Sequence, residues 1–274
     1  MATIAAPRVD REMRPDILSG TPRAHAVDRW IYVFTAASFI AITLAGFVPS
    51  SVAKIAAVQA GERPPFPPIL HVHAVLMGSF LLLLLTQTTL VATGRCDLHR
   101  RLGLVAMVLA PALVVAGFIL APTTYRAVWG AAQAAPAGPR EQLGQLVLLL
   151  DNIMLLQLRI GFLFPILLLI GMRARGKEAG LHKRMMILAT AMALPAAIDR
   201  ITWLPTTLPG NPLATDLYVV LAVSPMLLWD VVRNRTVHRA YWISLAVSLP
   251  FAVAVYGLWD TPWWHATAPR LMGV

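Results

Sequence analysis

Charge is scarce in this chain. Asp, Glu, Lys and Arg make up 13% of its 274 residues and hydrophobic residues 58%, against roughly 25% charged in a soluble domain. That shortage excludes a surface built mainly for water. Cysteine is scarcer still. The single Cys96 excludes an intramolecular disulfide and a multi-cysteine zinc or iron–sulfur centre, and in a turn expected on the cytoplasmic side it would stay reduced. No nucleotide-hydrolysis or phosphoryl-transfer motif and no nucleophile–base pair is visible, which argues against a hydrolase of soluble type. The first residues mix Arg8, Asp10, Arg11, Glu12, Arg14 and Asp16. No apolar stretch follows directly and no small-residue cleavage site is evident, so no removable signal peptide is read there.

Long apolar runs take the place of charge. Several reach the roughly 20 residues that cross a bilayer as helix, and only helices or closed barrels satisfy the backbone there. The runs are continuous rather than alternating, which favours helices. Seven are placed, at 30–49, 70–93, 102–121, 145–171, 183–204, 216–233 and 240–258. The expected class is all-α: a polytopic membrane protein with seven transmembrane helices. Its domain covers 30–258, between a cytoplasmic tail at 1–29 and a periplasmic tail at 259–274.

One step recurs at the turns. Leu98-His99-Arg100-Arg101 returns as Leu181-His182-Lys183-Arg184 and, weaker, as Val237-His238-Arg239-Ala240. Each sits between two apolar runs, which reads as three tandem hairpins after one extra N-terminal helix. The net charge of +10 gathers in these turns. Alternating the loops places sixteen Lys and Arg on one side and five on the other. That imbalance puts the N-terminus in the cytoplasm and the C-terminus in the periplasm of a bacterial inner membrane. It makes the lipid bilayer the expected partner and gives no reason to invoke nucleic acid. Trp30 and Tyr32 at the inner interface, and Trp263 and Trp264 at the outer one, fit aromatic belts.

Ionisable groups within spans are functional candidates by default. The outer half carries His71, His73, Asp151, Asn152, Arg159, Asp199, Arg200 and Asp216. His73, Met77, Phe80, Leu84 and Gln87 form one helical stripe, whereas His71 is about 200° from His73 on a regular helix. Asp151, Asn152 and Arg159 share one broad face. The functional reading is a ligand or redox site at His73 in a field set by Asp151, Asp199, Arg159 and Arg200. A haem would use His73 with His265 or Met77, and copper would use His71, His73 and Met77, whose imidazole and thioether groups suit it. The structural alternative is an interhelical link, Asp151 with Arg200 or Asp199 with Arg159, between the fourth and fifth helices.

The inner side has His99, His182 and His238 beside Arg100, Arg101, Lys183, Arg184 and Arg239. Flanking cations and positive helix ends disfavour a metal there. They favour lipid phosphate, another anion or a quinone headgroup. Asp230 is expected to pair with Arg233 or Arg235.

Gly94-Arg95-Cys96-Asp97-Leu98-His99-Arg100-Arg101-Leu102-Gly103, with Gln87 upstream and His71 and His73 opening the same hairpin, resembles a bacterial family of uncharacterised polytopic membrane proteins. The resemblance covers residues 68–120 well and the later hairpins loosely. It implies a seven-span fold and weight on His73, Gln87 and His99, but no reaction. The second hairpin departs from the first, having Asp151 and Asn152 where the first has His71 and His73. Taken together, the residues favour a redox-associated membrane protein binding haem, copper or quinone near the outer face. A proton-coupled transporter, or a non-catalytic subunit or assembly factor of a larger membrane complex, is the alternative.

Overall fold

A computed structural model describes residues 25–274. The basic residues expected in the N-terminal tail before His25 lie outside the described residues. Every regular element among the described residues is helical. In chain order these are α1 (Ala26–Gln59), α2 (Pro68–Ala92), α3 (Cys96–Ala134), α4 (Ala137–Ala174), α5 (Ala179–Ala191), α6 (Pro195–Ile198), α7 (Leu213–Asn234), α8 (Arg239–Leu258) and α9 (Pro262–Met272). Six of them, α1 to α4 with α7 and α8, are long and apolar enough to cross a membrane.

The fifth expected span, 183–204, is not one helix. It starts earlier, at Ala179, and breaks after Ala191 into turns. Pro195 reopens it as the four-residue α6. Proline lacks the N–H that a continuous helix needs and restricts the residue before it. Asp199 and Arg200 therefore follow a broken helix instead of lying inside one. This interrupted segment is nonetheless the most enclosed part of the chain, with Arg184, Met185, Ile187, Ala189, Thr190 and Ala191 all buried.

α5 packs against α1, α4, α7 and α8. The first two hairpins, α2–α3 and α4–α5, pack along their length. The third does not: α7 lies mainly on α1, and α8 on α4 and α5. The expected threefold repeat of packed hairpins therefore fails at its last member, because α5 takes the place between α7 and α8.

The outer extensions also differ from expectation. The Ala-, Pro- and Gly-rich stretch 122–144, between the expected third and fourth spans and open on its sequence to a short interfacial helix, is almost wholly helix. α3 runs through Pro122 to Ala134, and α4 begins at Ala137. Alanine is the best helix former, and the extension is covered by apolar partners. Tyr125, Ala132, Val147, Met154, Trp259 and Trp264 form a second core with α9. The 259–274 segment thus contributes a packed helix, and Trp264 is buried, as is Tyr32 at the other end. Of the four aromatic residues expected at the interfaces, Trp30 and Trp263 remain exposed in the manner of an aromatic belt. The main core, around Phe39, Phe80, Leu84, Phe164, Leu167 and Met185, lies between the two ends.

Candidate functional site

The outer polar residues do not converge on one centre; they separate into four places. The first lies between α4 and the C-terminal helix. Asp151 is 1% exposed. Its Oδ1 accepts from the Tyr125 hydroxyl of α3 at 2.6 Å, and its Oδ2 meets His265 Nδ1 at 2.8 Å. Trp264 Nε1 donates to the Asp151 carbonyl at 2.7 Å. His265 Nε2 lies 3.0 Å from Asp260 Oδ1, and Asn152 Oδ1 accepts from the Asp260 backbone N–H at 2.9 Å. His265 is thus held between two carboxylates. Burial by itself pulls its pKa down, but the hydrogen bonds and charges of Asp151 and Asp260 outweigh that and raise it. Hydrogen bonding from His265, then from Asn152, lowers the pKa of Asp260. Because α4 begins at Ala137, Asp151 is fourteen residues into its helix, about 21 Å along the axis.

The second place joins α4 to α7. Arg159 grips Asp216 through two N–H groups, at 2.5 and 3.1 Å, and Tyr256 of α8 adds its hydroxyl at 3.1 Å. This replaces the expected Asp–Arg link between the fourth and fifth helices. The break before Pro195 keeps Asp199 only within coulombic range of Arg159, and the direct two-pronged contact goes to Asp216 at the start of α7. Asp199 instead accepts from the buried Thr215 hydroxyl. In the third place, Arg200 donates to the Ala196 carbonyl and stands over the Phe47 ring at 4.7 Å.

The fourth place is α2, where the two histidines diverge as their spacing requires. His71 is exposed and edge-on to Phe66, with ring centroids 6.0 Å apart. His73 faces α3, its ring lying 3.7 Å from where a Cβ at Gly117 would stand, and its Nδ1 is buried without a hydrogen-bond partner. It does not face Asp151. Met77 packs at the edge of the main core. Among the described residues no three His, Cys, Asp or Glu side chains gather as a metal group.

At the inner end the structure assembles what the sequence left dispersed. Arg184, expected at the lipid surface, is fully buried and grips Asp230 through Nε and Nη2, both at 2.6 Å. Asp230 therefore does not pair with Arg233 or Arg235. Its helical position points it at α5, whereas Arg233 turns to Asp28 of α1 at 2.9 Å. His238 caps α8, its Nδ1 accepting from Ala240 N–H at 3.1 Å. Arg239 pairs with Glu178, and Lys183 lies 5.1 Å from the Tyr32 ring centroid. Arg100 and Arg101 remain exposed.

His99 of α3 and His182 of α5 come together, with ring centroids 6.3 Å apart and planes at 73°. His182 Nδ1 is 2.8 Å from the Gly171 carbonyl. That contact makes Nδ1 the protonated nitrogen and leaves a lone pair on Nε2. Gln87 of α2 donates to the His99 carbonyl at 3.2 Å. Gln87 Oε1 and His99 Nδ1 are both buried without a partner. Gly103, one turn beyond His99, keeps the place open: a Cβ there would be 3.3 Å from Gln87 Nε2 and 3.8 Å from Arg175 Nη1. The helical wheel alone aligned Gln87 with His73. It gave no signal that His99 and His182, 83 residues apart in the numbering, share one site.

Comparison with family models, with characterised proteins and with solved structures finds no match to this chain. What the fold defines is an all-helical chain with six apolar helices of membrane-spanning length.

Proposed function

We propose that this chain is a redox-associated integral protein of a bacterial inner membrane that binds a quinone headgroup at the inner end of its bundle, between Gln87, His99 and His182. Membrane character rests on the six apolar helices. The reading takes α5 and α6 together as a seventh crossing, with the N-terminus cytoplasmic and the C-terminus periplasmic. One observation carries the ligand assignment: Gln87 Oε1 and His99 Nδ1 are buried and unpartnered on two residues that touch, beside a second imidazole with a spare lone pair. Buried polar atoms are paired in the great majority of cases. A quinol hydroxyl both donates and accepts, and so matches an orphan acceptor next to imidazole nitrogens. Its ring and tail are apolar and reach such a site through lipid. Gln87 and the two histidines bind and orient the headgroup, and the ligand supplies the electron chemistry. The transport reading is less favoured because the apolar core around Phe80, Leu84, Phe164 and Leu167 lies between the outer Asp151–His265 group and this inner group.

Titrating the purified protein with decyl-ubiquinone and following tryptophan fluorescence tests the proposal. Saturable quenching, weakened about tenfold by Gln87→Leu as a hydrogen-bond partner is lost, is the expected result. No saturation, or saturation unchanged in Gln87→Leu and in His99→Phe, overturns it. A Soret band in the unliganded preparation transfers the assignment to haem.

A further inference from the structure

The side assigned to the periplasm is poor in cations, yet three of them gather at one spot. Lys54 is near the end of α1, Arg63 is in the loop before α2, and Arg200 follows α6. Arg200 and Arg63 both lie within coulombic range of Lys54. The backbone brings them together. α6 presses onto α1 at Gly46, where a Cβ would stand 2.1 Å from the Ala197 carbonyl oxygen. Phe47, the next residue, supports the Arg200 guanidinium. Arg63 lies over Phe66, 5.0 Å from the ring centroid.

One carboxylate, Asp199, lies within coulombic range of Arg200, which leaves two of the three positive charges uncompensated. None of the three cations forms an ion pair among the described residues. Arg200 donates to a backbone carbonyl, and Arg63 Nε is buried with no acceptor at all. Asp199, the nearest acid in sequence to Arg200, accepts a hydrogen bond from Thr215 and makes no ion pair with the guanidinium. Glu62 is exposed and forms no ion pair among the described residues. The remaining cations of this side are used or distant: Arg126 holds the Met272 carbonyl and Arg140 the Ala135 carbonyl. Like charges brought together repel, and with Asp199 as the one acid in range of Arg200 an added anion would relieve the excess positive charge.

We propose that Lys54, Arg63 and Arg200 form an oxyanion site at the outer rim that takes a phosphate group, from a phospholipid headgroup or from free phosphate. Two guanidinium forks and an ammonium are the donors that recognise phosphate. The depth fits a headgroup. Lys54 is 24 residues beyond Trp30 on α1, about 36 Å along the axis, past a hydrocarbon layer of about 30 Å. Phe66 and Phe47 back the two guanidinium planes. This site is at the opposite end of the molecule from the quinone site and does not depend on it.

Two measurements on the purified full chain test it. One is calorimetric titration with inorganic phosphate. The other is native mass spectrometry with added phosphatidylglycerol or phosphatidylcholine. The variant is Lys54→Gln with Arg63→Gln, and the control is Arg270→Gln, an exposed cation on α9. Binding of phosphatidylglycerol in preference to phosphatidylcholine, weakened about tenfold or more in the double variant and unchanged in the control, supports the site with a lipid as its source. Binding of inorganic phosphate with the same dependence supports it with a soluble source. Binding of neither by the wild type, or an equal loss in the control, overturns it. Thermal stability of the anion-free double variant is a second check. Relieving repulsion should leave its midpoint equal to or above the wild type, and a marked fall would show the cations to be structural and overturn the proposal.

Discussion

Replacing Asp230 by Asn breaks the best-enclosed ion pair in the molecule. Arg184 and Asp230 are both fully buried, and the contact is two-pronged at 2.6 Å on each prong. Arg184 Nη1 also donates to the Gly180 carbonyl at 2.8 Å, and Asn234 donates to Asp230 Oδ1 at 2.5 Å. The substitution leaves a fully buried guanidinium with no counter-charge at the inner end of the bundle. Removing one partner of such a pair costs about 3–5 kcal/mol, most of it the penalty for the charge left behind. For a chain of this size that lowers the unfolding midpoint by roughly 6–20 °C, at about 2–4 °C per kcal/mol. The assay is the fraction of detergent-purified protein that stays monodisperse by size exclusion after heating. Arg184→Met with Asp230→Leu removes both charges and keeps apolar bulk, so at least half of the loss should return. Asn234 and Gly180 still lose a partner, at about 1 kcal/mol each, which keeps the recovery incomplete. A midpoint for Asp230→Asn within about 2 °C of wild type, less than 1 kcal/mol on the same scale, would refute the reasoning. So would a double variant as unstable as the two single losses added together.

The attachment of α9 should depend on pH. His265 has its pKa raised above the ordinary 6.5, so its contribution is complete below that value and is lost as pH rises through the folded value. Asp260 has its pKa lowered below 3.8, so its contribution is present above that value and is lost as pH falls through the folded one. Amide exchange in α9, corrected for intrinsic rate, should therefore be faster at pH 9 than at pH 6, and His265→Gln should remove the difference. Gly46→Ala should destabilise by about 1–3 kcal/mol or more, because its Cβ meets backbone at Ala197. Gly161→Ala should cost less in the same thermal assay. Its Cβ meets the ring of Phe118, 2.8 Å away, and that side chain is 42% exposed and free to swing. A reporter fused after Val274 should read as periplasmic, and a cytoplasmic signal would mean that α5 and α6 do not cross.

Composition and periodicity alone determined that this chain is helical and built for a membrane. A continuous apolar run satisfies its backbone internally whatever its neighbours are, so that property is local and legible. The divergence of His71 and His73 was legible for the same reason, since two residues on one helix cannot escape its pitch. Only the tertiary structure decided which helices meet. Asp230 had two arginines close in sequence and chose a third 46 residues away, because α5 lies in the centre of the bundle and Arg184 is the cation that faces it there. Asp151 found Tyr125 and His265 rather than Arg200, because a proline break set Arg200 at the rim while α9 folded back onto α4. His99 and His182 each read as a residue at its own interfacial turn. Their partnership depends on the packing of α3 beside α5, and no single-helix pattern encodes that. Charges in a low-dielectric interior take the partner that burial places nearest, and sequence distance does not measure that proximity.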